Sequence, residues 1–211
     1  MSRGPVPRDK RRERGDRTRE RVARCAAEVA SVEGLMNVSL NQLAKDLGVS
    51  KSGVAAAYGS KEELQLATVA AARKVFISHV VAPALARPAG AARVRALVDA
   101  WLEYVESGVF PGGCFMAAVM PEFDTRPGPV RDALIASRRE WVGLLTQEIA
   151  IAQRDGELVG LPPEELAFEI DALLSATNLT RNLSDPTGGV ECARSILHSR
   201  LGTADAAARE D

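Results

Sequence analysis

The chain has 211 residues, of which 46% are hydrophobic and 26% charged, enough to bury a sizeable core in one or two domains. Its formal net charge of −1 conceals a basic N-terminus, where the first 24 residues hold ten Lys or Arg against four Asp or Glu. Three cysteines without CxxC spacing and two isolated histidines argue against a disulfide frame or metal centre, and no apolar run approaches the ~18 residues of a membrane span.

Residues 1–15 read as a basic, disordered arm, including Lys10, Arg11, Arg12 and Arg14. With Arg17, Arg19 and Arg21 just behind it, such an arm can neutralise phosphates without reading sequence. Charges with no apolar stretch after them are not a secretory signal. From about Asp16 to Glu33 the spacing of Val22, Ala26, Val29 and Val32 predicts an amphipathic helix that Gly34 ends.

Ser39 with Gln42 is a capping box, and Val38 with Leu43 has the spacing of a hydrophobic staple. Leu40, Leu43, Ala44 and Leu47 give the next helix one apolar face, and Gly48 closes it. Ser50 opens another short helix to about Tyr58, with Val49 and Val54 repeating the staple. Ser60 and Glu63 form a second capping box, which opens a long helix with Leu64, Ala67, Ala71 and Val75 on one face until Pro83 interrupts it. Two short helices joined by a Gly-containing turn form a helix-turn-helix, whose second helix enters a DNA major groove.

Val94, Leu97, Val98, Trp101 and Val105 predict the following helix, and Phe110-Pro111-Gly112-Gly113 a loop. A short apolar helix runs from about Cys114 to Met120, and a long one through Val130, Leu134, Trp141, Leu144, Leu145 and Ile149 to Arg154. Helices from Pro162 to Leu183 and from Pro186 to Leu201 complete the chain, ahead of an Ala-rich tail expected to be disordered over 203–211. No alternating run is long enough for a strand, so the fold is all-α with nine helices.

At Leu43-Ala44, Leu47-Gly48-Val49-Ser50-Lys51, Tyr58 and Ser60-Lys61-Glu62-Glu63-Leu64 the chain resembles the TetR-type family of bacterial transcriptional regulators. The resemblance is specific over about residues 17–66; beyond that it lies in length and helical layout. It implies a DNA-binding unit at 16–60, a ligand-binding and dimerisation unit at 61–202, and a cytoplasmic homodimer. Such a dimer would be a repressor released from a palindromic operator by a small hydrophobic effector, with no cofactor. A two-fold dimer also follows from the motif, since one helix-turn-helix reads only a half-site.

The residues expected at DNA are Arg17 and Arg21, the helix caps Ser39 and Ser50, then Lys51, Ser52 and Gly53 at the start of the recognition helix, and Lys61. Family members commonly carry an aromatic and a His or aromatic two residues apart in this helix, where the chain has Ala55 and Ala57. The scarce bulky side chains of the second unit, Phe76, Trp101, Tyr104, Phe115, Met116, Met120, Trp141 and Phe168, are expected around a ligand, with Asn178 as a polar contact. Aromatics at this spacing also fill plain cores. Cys114, behind Gly112-Gly113 at a helix start, joins that set, since a helix dipole lowers a thiol's pKa. The expected dimer face is Ile170, Leu173, Leu174, Thr177 and Leu197.

No Ser/His/Asp context, phosphate loop, GxGxxG or HExxH appears, which argues against an enzyme. The paired acids Glu62-Glu63 and Glu164-Glu165 sit near helix starts, where they favour the dipole. The alternative reading is a helical homodimer that binds ligand or protein without specific DNA binding.

Overall fold

The computed structural model describes residues 10–202, and the side chains of residues 15–202. The described residues form nine helices and no strand. These are α1 (Lys10–Glu33), α2 (Leu40–Leu47), α3 (Lys51–Ala57), α4 (Lys61–Leu85), α5 (Ala91–Glu106), α6 (Phe115–Phe123), α7 (Pro129–Arg154), α8 (Pro163–Leu183) and α9 (Gly188–Leu201). The helix α1 starts at Lys10, so residues 10–15, expected within the arm, are helical. Residues 1–9 of that arm and the tail from Thr203 lie outside the described residues.

The serine caps position the first unit. Ser39, Ser50 and Ser60 accept the amides of Gln42, Gly53 and Glu63 at 3.2, 3.1 and 3.1 Å. Each such cap stabilises its helix by about 1 kcal/mol. The reciprocal halves of the boxes differ from expectation. Gln42 donates to Glu33 at 2.8 Å, and Glu63 accepts from Gly59 N–H at 2.9 Å rather than from Ser60. Val22, Ala26, Ala30, Leu43, Val54 and Leu64 close the small core these helices share. Val32, expected on the buried stripe, is 64% exposed, because Ala23, Ala27 and Ala30 bring the buried face of α1 round to the side that meets α4 and α6.

α4 runs past Pro83, which had been expected to end it. The five residues Ile77–Val81 form a π turn, and Pro83 stands at the start of the turn that follows, where a missing N–H is tolerated. By length and composition α4 could also cross a membrane, a property the sequence reading had denied to every segment. Here it packs on α1, α5 and α7, and Leu64, Val69, Ala72 and Val80 are buried.

Helices α5 to α9 pack around one core. The start of α5 is held by two carboxylates. Glu148, buried in α7, accepts Gly90 N–H at 3.0 Å and Arg93 Nη1 at 2.8 Å, and Glu157 accepts Ala91 N–H at 2.8 Å. α8 packs against α7, α9, α5 and α6.

Candidate functional site

Two regions answer to the sequence expectations, one at the start of α3 and one between α4 and α8. On α3, Lys51, Ser52 and Gly53 are exposed together with Ala55 and Ala56, while Val54 is buried. Ser50 and Ser52 hydroxyls lie 3.1 Å apart. Beyond its first turn the exposed face of α3 therefore presents methyl groups only. Arg17 and Arg21 are exposed on α1, and Ser39 at the start of α2. Lys61 is exposed as well, but its ammonium donates to the Met36 carbonyl at 2.6 Å. Tyr58 is buried; its hydroxyl donates to the Arg19 carbonyl at 2.7 Å, with the Arg19 guanidinium 4.9 Å from the ring centre. Burial pushes this phenol above its ordinary pKa, an effect the nearby Arg19 charge partly opposes.

The second region is a cavity of about 240 Å³ enclosed by α4, α5, α6, α7 and α8. Of the residues expected around a ligand, Phe76, Trp101, Cys114, Met116, Met120 and Trp141 line it. Phe76 and Trp141 meet edge to face with ring centres 5.3 Å apart. Tyr104 and Phe115 stand behind this wall, packed on either side of Phe110 at 6.2 and 6.1 Å. Phe168 departs from expectation. It is 66% exposed, because α8 turns Leu166, Ala167, Ile170 and Leu174 inward. Asn178 is also elsewhere: it is buried, and its Oδ1 accepts the Cys114 amide at 2.7 Å, tying α8 to the start of α6.

Sequence periodicity missed several cavity residues. Ile77 and Val81 reach the wall because the π turn widens α4 at that level. Asp171 is buried at the cavity, and its Oδ2 accepts from Arg138 Nη2 at 2.6 Å. No other hydrogen bond to its carboxylate occurs among the described residues. Its signal in the sequence is an acid set directly between Ile170 and Ala172-Leu173-Leu174 on the apolar stretch of α8, two residues after Glu169. Arg73 and Glu140, paired at 2.9 Å, also line the cavity and are more open to solvent.

Cys114 does not have the low pKa that a helix start suggested. Complete burial dominates over the amides of Ala117 and Met116 and pushes the thiol up to about 11. Burial likewise holds the Tyr104 hydroxyl well above its ordinary value.

The expected dimer face requires correction. Ile170, Leu174, Thr177 and Leu197 are buried within their own chain, and Leu173 is half-buried, so a partner cannot reach the first four. The exposed stripe of α8 is instead Phe168, Ala172, Ala176, Leu179 and Leu183, continued on α9 by Cys192 and Ile196.

Among the described residues no His, Cys, Asp and Glu gather as a metal site would require. The family model described as Tetracyclin repressor-like, C-terminal domain, matches residues 90–197. A search of curated proteins finds no match. Among solved structures, a TetR transcriptional regulator from Chloroflexus aurantiacus superposes with a TM-score of 0.81 at 22% identity, over 89% of this chain and 95% of that one. AibR in complex with isovaleryl coenzyme A and operator DNA gives 0.70 at 19% identity, over 87% and 98%. A regulator from Saccharomonospora viridis in complex with choline gives 0.74 at 21%, over 87% and 95%. At these identities the likeness establishes the shared fold.

Proposed function

The chain belongs to the TetR-type family of transcriptional regulators, and from that premise we propose that it is a cytoplasmic homodimer that represses from a palindromic operator until a small effector enters the cavity. The observation that carries this reading is the course of α4. Its first turn, capped by Ser60, belongs to the helix-turn-helix unit, and Phe76, Ile77 and Val81 of the same helix line the cavity. A ligand can release DNA only by binding better to a form whose two recognition helices are wrongly spaced, and a helix shared by both sites couples them.

At the DNA, Lys51, Ser52 and Gly53 would enter the groove, while Arg17, Arg21, Ser39, Ser50 and Lys61 would meet phosphates. The exposed stripes of α8 and α9 would form the two-fold interface. The effector would have an aromatic or aliphatic body lying among Phe76, Trp101 and Trp141. Its head would donate a hydrogen bond to Asp171, whose Oδ1 takes none from the described residues. A protonated amine suits that position best, because the buried charge is the carboxylate and the arginines stand nearer solvent.

Binding to a palindromic fragment from upstream of the gene, followed across a salt series, tests the regulatory reading. For the effector, phenylbutylammonium, phenylbutanol and phenylbutanoate are titrated against tryptophan emission. The amine should bind best, and Asp171→Asn should remove its advantage over the alcohol. Preference for the carboxylate would place the head on Arg138 instead. The methyl-only face of α3 favours a second reading, a dimeric ligand-binding module without specific DNA binding. Equal affinity for operator and scrambled DNA would select it.

A further inference from the structure

The cavity has a second connection to the helix-turn-helix, one that does not run along α4. α6 contributes Met116, Ala117 and Met120 to the cavity wall, and two residues after Met120 it carries Glu122. That carboxylate grips the turn between α1 and α2 with both oxygens. Oε1 accepts Leu35 N–H at 2.8 Å and Oε2 accepts Met36 N–H at 2.9 Å. Charge-assisted bonds from two adjacent amides fix distance and orientation together, as one bond could not.

The turn is built to receive this carboxylate. Gly34 has φ +86°, and a Cβ there would lie 2.9 Å from Glu122 Oε1, so a side chain would push the clasp apart. From the other side α4 holds Leu35 and Met36 as well. Lys61 donates to the Met36 carbonyl at 2.6 Å, and Gln65 to the Leu35 carbonyl at 3.4 Å. Three residues beyond this turn, Ser39 caps α2, so a displacement of the turn moves the start of the helix-turn-helix. The loop leading into α6 is anchored to α1, since Gly112 N–H donates to Ser31 Oγ at 3.0 Å.

Between the cavity residues and the clasp lies Pro121, inside α6. Proline has no N–H to give the carbonyl one turn back, so α6 is least braced where Met120 meets the cavity and Glu122 meets the turn. We infer that Glu122 is a positioning residue for operator binding, and that it transmits the state of the cavity to the helix-turn-helix through the Gly34-Leu35-Met36 turn. The inference rests on reading the cavity as the effector site. A group that presses Met116 or Met120 outward shifts α6, and the turn follows because the Leu35 and Met36 amides have no other acceptor among the described residues.

The test replaces an unknown effector with a side chain. Met120→Trp crowds the cavity from α6, and Glu122→Gln keeps the shape of the clasp while turning an amide donor toward one of its N–H groups. In the full chain, amide exchange at Leu35 and Met36 should accelerate about tenfold in Met120→Trp, with α8 and α9 protection unchanged. Unchanged exchange at Leu35 and Met36 overturns the inference whether or not the protein binds DNA. Operator affinity then completes a double-mutant cycle. Met120→Trp should weaken binding about tenfold in the parent and much less in Glu122→Gln. Equal losses in both backgrounds also overturn it. A parent without operator affinity would sink the regulatory reading and leave the exchange result to decide on Glu122. Glu122→Gln and Gly34→Ala, which disturb the clasp from either side, should both accelerate exchange at Leu35 and Met36 while phenylbutylammonium binding stays as in the parent; normal Leu35 and Met36 protection in either variant overturns the inference.

Discussion

At the scale of single residues, burial overrides the simple reading of Cys114. A helix start favours thiolate, but a thiol enclosed by Trp101, Asn178 and the cavity wall loses more from desolvation than two amides return. Native protein treated with iodoacetamide near neutral pH should not be alkylated at the buried Cys114, which should label only on unfolding. Mass spectrometry of the labelled peptides reads this directly, and rapid native labelling of Cys114 would restore the sensor idea. The same shift has a consequence for stability. The folded thiol keeps its proton to about pH 11 whereas an unfolded one begins to lose it near 9, so the unfolded state sheds protons first. Rising pH between those values therefore favours unfolding, and Cys114→Ala should flatten the fall in melting temperature over that range. Tyr58 offers a second check: Tyr58→Phe removes the bond to the Arg19 carbonyl and should cost about 1 kcal/mol in denaturant unfolding, without abolishing the fold.

At the scale of elements, α8 shows how one helix serves two faces. Leu166, Ile170 and Leu174 fill the chain's own core, and Phe168, Leu179 and Leu183 point away from it. Leu174→Glu should place a charge in that core and unfold the chain, at a cost of several kcal/mol. The pair Leu179→Glu and Leu183→Glu should leave helicity and monomer stability near the parent's and shift light scattering to the monomer mass. A dimer that survives both exchanges would put the interface on another face.

At the scale of the whole molecule, the two proposed sites share α4 and are joined again through α6. If the exposed methyl face of α3 grips nothing, phosphate contacts from Arg17, Arg21, Lys51 and Lys61 carry an unusual share of DNA affinity. Affinity should then fall steeply with salt, and each lysine or arginine replaced by Ala should reduce the log–log slope by about one. Lys61→Ala should do more than that, because it also releases the Met36 carbonyl. Ser52 substitutions should change sequence preference at an unchanged slope. Parent-like binding by both Lys51→Ala and Lys61→Ala would remove the helix-turn-helix from the DNA.

Features whose physics is local were legible in the chain alone. Serine caps, glycine stops and 3.6-residue periodicity act within a turn or two of chain, so they sufficed for the all-helical layout and for the three short helices around Ser39, Ser50 and Ser60. The sequence also supplied most of the cavity's bulky residues, since Phe76, Trp101 and Trp141 are rare enough to stand out. Which face of each helix meets which neighbour is set by packing in three dimensions. An apolar stripe does not say whether it seeks its own chain or a partner, which is why Ile170 and Leu174 proved internal while Phe168 is exposed. The passage of α4 through Pro83 depends on a π turn set by packing, and the Glu122 clasp joins residues 86 and 87 positions apart. Such contacts leave no period in the sequence, because they are chosen by the packing of helices and not by the chain on either side.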